Sequence, residues 1–211
     1  MKMKKVLAML LAVLMIVTAT VAGTVAWLTT STQEVENTFT TSDINITLDE
    51  TGTTESGGKE VKEFQMIPGD TLYKDPTVTV KAGSEDCWLF VEVTEACTVA
   101  DKEFDDYLTY AIAGGWTQGD GTSIPANVWY REVTNVTADA PFSVLENDQV
   151  SVRPSVTKEM MNAFDTDKSG ALDENEKKAL PTLTFKAYAV QQSSFETAAK
   201  AWAEAVKLDT P

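Results

Sequence analysis

The chain contains no histidine, and that absence removes a large share of enzyme chemistry. A His-Glu-x-x-His zinc site, a Ser-His couple and a Cys-His couple all need an imidazole, so none can be built here. Cysteine is scarce as well, with only Cys87 and Cys97. Between them Trp88-Leu89-Phe90-Val91-Glu92-Val93 reads as one strand, which holds the pair about 30 Å apart at ~3.3 Å per residue. A disulfide needs Cα atoms within about 7 Å, so two buried free thiols are expected. Basic residues are few: 17 Lys and Arg face 32 Asp and Glu, a net charge of −15. A field of that sign disfavours nucleic acid and anionic lipid and attracts divalent cations. No Gly-Lys-Ser/Thr phosphate loop occurs. Among so many acids no carboxylate pair stands out as the working pair of a glycosidase. The chain reads as a protein that is not an enzyme.

What is present begins with a leader. Met1-Lys2-Met3-Lys4-Lys5 is followed by an apolar run from Val6 to Val17, then by small residues through Gly23, Thr24 and Ala26. This is the layout of a secretory signal peptide over residues 1–26, cleaved after Ala26. An uncleaved membrane anchor is the alternative, since Val6 to Leu28 is 23 residues, long enough to span a bilayer. Cleavage leaves 185 residues, a normal size for one domain, and removes three lysines, taking the net charge to −18.

The mature chain is dominated by strand patterns. Residues 43–48, Asp-Ile-Asn-Ile-Thr-Leu, alternate strictly, and 77–80 do the same. Trp88 to Val93 is apolar on both faces until Glu92, as in a central strand packed on two sides. Strands are also expected over 108–112, 128–130, 142–145, 150–152 and 183–190. Turn chemistry separates them, including Pro68-Gly69-Asp70, Gly114-Gly115 and Glu146-Asn147-Asp148. About eight short strands with such breaks predict an all-β, jelly-roll-like antiparallel β-sandwich with a few short helices. Those helices fall at Asp101–Tyr107, Thr157–Phe164 and a C-terminal stripe of Phe195, Ala198, Ala199, Trp202 and Val206. Ser193 and Glu196 fit a capping box for the last.

Residues at the leader junction carry a family likeness. Gly23-Thr24-Val25-Ala26-Trp27-Leu28-Thr29 leads to Asn37-Thr38-Phe39-Thr40 and Ile44-Asn45-Ile46-Thr47-Leu48, and Met66-Ile67-Pro68-Gly69-Asp70 follows. This pattern resembles the TasA/camelysin family, with Thr29 and Ser42 where that family often has Asp and Gly. The resemblance implies cleavage by a SipW-type signal peptidase. It also implies export to the matrix or cell surface of a Gram-positive bacterium, and a jelly-roll domain that polymerises with further copies of itself and with related biofilm subunits. Contact with the membrane would come only through the uncleaved signal peptide. Residues 27–42 would be a donor strand for the next subunit, adding to an open sheet edge; the alternative is that they stay in their own sheet. Camelysins are described as metallopeptidases, but without histidine that zinc pattern does not carry over.

Residues 165–176, Asp-Thr-Asp-Lys-Ser-Gly-Ala-Leu-Asp-Glu-Asn-Glu, resemble an EF-hand loop. Calcium takes six to eight oxygens, and such a loop presents them at positions 1, 3, 5, 7, 9 and 12 around a glycine at 6. Here those are Asp165, Asp167, Ser169, the Ala171 carbonyl, Asp173 (through water) and a bidentate Glu176, with Gly170 at the turn. Lys177 replaces the usual apolar residue, Pro181 ends the exiting helix early, and no second loop is present. The insertion, over residues 157–180 of a sandwich running 43–211, is expected to hold one Ca2+ with modest affinity, ~10⁻⁴ to 10⁻³ M.

Together these features predict a secreted structural filament subunit that assembles by strand addition and carries one structural calcium. The alternative is a monomeric cell-surface module that recognises a glycan or a protein. Trp116, in a glycine-rich loop, is the one aromatic that is a candidate for such binding, with packing in the core as the alternative.

Overall fold

A computed structural model of the chain describes residues 43–56, 59–99, 101–169 and 172–209. The signal peptide expected over 1–26 and the donor strand expected over 27–42 lie outside them. In chain order the strands are β1 (Ile46–Asp49), β2 (Thr54–Ser56), β3 (Lys59–Val61), β4 (Thr71–Tyr73), β5 (Thr77–Val80) and β6 (Cys87–Ala96). They continue with β7 (Leu108–Ile112), β8 (Thr117–Gln118), β9 (Val128–Val133), β10 (Ala140–Ser143), β11 (Leu145–Val152) and β12 (Thr182–Gln191). Short helices are α1 (Phe104–Tyr107), α2 (Lys158–Asn162), α3 (Glu174–Lys177) and α4 (Ala198–Ala205). Every strand pair is antiparallel.

Apart from β2 and β3, which pair with each other as a separate hairpin, the described strands form a sandwich. One layer is the sheet β12-β6-β9-β8. The other combines β1-β5-β10 with β4-β11-β7, because β4 runs on into β5 and β10 into β11. Two hydrogen bonds bridge the joint, from Val144 N–H to the Pro76 carbonyl at 2.9 Å and from Lys74 N–H to the Asp148 carbonyl at 2.8 Å. Strand β6 is the keystone. Alternation sends Cys87, Leu89, Val91 and Val93 to one face, where they meet Val78 and Val80 of β5. It sends Phe90 to the other, against Val128, Val190 and α4. The two-sided burial implied by the unbroken apolar run is what the strand has.

Helix α4 seals the outer face of that sheet. Ala198, Ala201, Trp202 and Ala205 are its buried residues, and the Trp202 ring lies 5.3 Å from both Phe90 and Tyr188. The start of this helix differs from expectation. Ser193 belongs to a 3-10 turn over Gln192–Ser194, and Thr197 is the cap. The Trp88 indole N–H donates to the Phe195 carbonyl at 3.1 Å, which pins Phe195 in extended backbone and delays the helix. Val206, placed on the apolar stripe by its spacing, is 40% exposed beyond the helix end.

A second difference lies at Glu146-Asn147-Asp148, where a turn was expected. β11 runs straight through these residues, with a register shift between Leu145 and Val150. Asn147 (φ 56°) and Asp148 (φ 54°) take left-handed backbone. Asn and Asp tolerate that conformation better than other side chains, so the extra length becomes a bulge and the strand does not break. Both cysteines are free, as expected, but only Cys87 is fully buried and Cys97 is half-buried; burial together with Asp86 pushes the Cys87 thiol up to about 11.

If α4 is held mainly by the Trp202 contact, Trp202→Ala costs about 3–5 kcal/mol and lowers Tm by roughly 10 °C. Thermal unfolding followed by circular dichroism checks this. A loss below about 1 kcal/mol would place α4 outside the core.

Candidate metal centre

The 165–176 loop follows Phe164, which belongs to a buried cluster with Phe104, Tyr107 and Val156. Thr157 caps α2, its side chain accepting from Met160 N–H at 3.3 Å. The helix lasts little more than one turn and delivers Phe164 inward, where it is only 2% exposed. Its ring packs tilted at 44° against Tyr107 with centroids 5.1 Å apart, among Leu108, Leu145, Val150 and Val152. Asp165, one residue later, is already at the surface end of the loop. Lys168 (φ 58°) supplies a left-handed reversal.

Hydrogen bonds arrange the carboxylates. The Ser169 N–H lies 2.9 Å from Asp165 Oδ1 and 2.9 Å from Asp167 Oδ1, joining loop positions 1 and 3. Glu176, on α3, turns back and is 7% exposed. Its Oε1 accepts from the Thr166 N–H at 2.7 Å, the Thr166 hydroxyl at 2.6 Å and the Asp167 N–H at 3.4 Å. Its Oε2 accepts from the Asp173 N–H at 3.0 Å. These donors favour the charged form. Bonds from Thr166 and Asp173 hold the Glu176 carboxyl below its ordinary range, and bonds from Ser169 do the same for Asp167.

One carboxylate oxygen each from Asp165, Asp167 and Glu176 lies within 4.8 Å of the others. Oxygens on one calcium, each 2.3–2.6 Å from it, are at most about 5 Å apart. The three therefore fit a single ion of that size without a large rearrangement, and they are hard donors of the type calcium takes. Positions 1, 3 and 12 are thus brought together. Ser169 contributes its backbone N–H to the arrangement. Asp173 does not join the trio: its Oδ1 accepts from Asn175 N–H at 2.7 Å and Glu176 N–H at 2.8 Å, capping α3. Ala171 and Gly170 lie outside the described residues.

Thr166 was missed by sequence reasoning. Position 2 of the loop carries no ligand, so nothing in the spacing singles it out, yet two of its groups orient the key glutamate. Trp116 is not a surface aromatic. It is 8% exposed, its indole N–H donates to the Ser143 carbonyl at 2.9 Å, and Arg131 lies 5.4 Å from its ring centroid. The same guanidinium sits 4.0 Å from the Phe142 ring centroid. Gly114-Gly115 shapes a turn over the sandwich end, and the indole fills that end of the core, leaving no aromatic platform for a sugar there.

No family model, curated protein or solved structure matches the chain. Among the described residues no helix is long and apolar enough to cross a membrane.

Asp165→Ala and Glu176→Gln are each expected to weaken calcium binding at least 10-fold in isothermal titration calorimetry. Asp173→Ala costs about 1 kcal/mol of stability through the lost cap and weakens binding less. Equal calcium affinity in all three variants and the parent would exclude this loop as the site.

Proposed function

We propose that the protein is an exported structural subunit that adds to further copies through a sheet edge and is stiffened by one calcium ion. In this reading the two layers are the sheets of a jelly roll, the leader directs export, and the residues after Ala26 supply the incoming strand. The observation that carries the reading is the edge strand β7. It pairs with β11 on one side, and no described strand lies on its other side. Leu108, Tyr110 and Ile112 turn inward while Thr109 and Ala111 are exposed, and an open edge of this kind offers N–H and C=O groups to an extended chain.

The charge fits the same picture. A chain this acidic stays soluble before assembly, and divalent cations lower the repulsion between copies. Extracellular calcium is abundant enough to fill a site of ~10⁻⁴ to 10⁻³ M affinity, whereas a cytosolic sensor needs far tighter binding. Calcium would bind through Asp165, Asp167 and Glu176 and supply a fixed link between α2 and α3. The chain's own residues set the rest: Thr166 orients Glu176, Ser169 joins the two aspartates, and Phe164 anchors the loop to the core.

Protein beginning at Trp27 should form filaments visible by electron microscopy, or a concentration-dependent size series by light scattering. Protein beginning at Asp43 should remain monomeric. A monomer at every concentration in the longer form would remove strand addition and leave a lone surface module.

A further inference from the structure

We draw no further inference here: the strongest candidate, the open cavity beside the β2–β3 hairpin lined by Thr54, Val61, Lys62 and Glu63, carries nothing because Lys62 is already committed to Glu50 and the Thr51 carbonyl and nothing in the structure shows what fills it.

Discussion

Strand β6 must bury both of its faces, and the rest of the fold follows from that constraint. A sheet strand that is apolar on alternate positions needs one partner layer; one that is apolar on nearly every position needs two. On one side Leu89, Val91 and Val93 are met by the strand layer around Val78 and Val80. On the other Phe90 is met by α4, through Trp202. An antiparallel sheet usually leaves one face to water; here a single helix of eight residues covers it. The register of β12 and β9 against β6 is set by the same demand, because a one-residue slip would turn both aromatic and aliphatic sets to the wrong side.

Much of this was legible from patterning, and the failures have physical causes. Strict alternation over 43–48 and 77–80 marked the strands that form as β1 (Ile46–Asp49) and β5 (Thr77–Val80), the strand expected over 183–190 lies within β12 (Thr182–Gln191), and the two-sided run at 88–93 correctly marked a central strand. The short pieces β2, β3 and β8 carry too few residues for a period to show. Asn147 and Asp148 were taken as a turn because turns and bulges draw on the same left-handed residues; only the pairing partners across β4 and β7 distinguish them. The cap of α4 moved because a distant side chain, Trp88, holds the Phe195 carbonyl. Trp116 went into the core for a similar reason: loop composition says where the backbone bends, but not which way the indole turns.

The candidate site was legible to a different degree. Spacing alone selected Asp165, Asp167, Ser169, Ala171, Asp173 and Glu176, and three of their carboxylates, on Asp165, Asp167 and Glu176, converge. Spacing could not reveal that Asp173 is occupied as a helix cap or that Thr166 is the main donor to Glu176. Both are local hydrogen-bonding choices decided by where α3 begins. The anchoring of the loop by Phe164 on Tyr107 is a contact between segments far apart in sequence, so it appears only once the chain is folded.

The functional account thus joins an acidic sandwich, a loop that gathers three carboxylates able to hold a metal ion, and an open sheet edge. Its central claim is that three named carboxylates hold one calcium. A crystal structure of the protein grown with millimolar calcium tests it most directly. The account predicts one ion with Asp165 and Asp167 oxygens and both Glu176 oxygens at about 2.3–2.6 Å. Density for an ion only elsewhere, or a loop with no ion between these side chains, would contradict it.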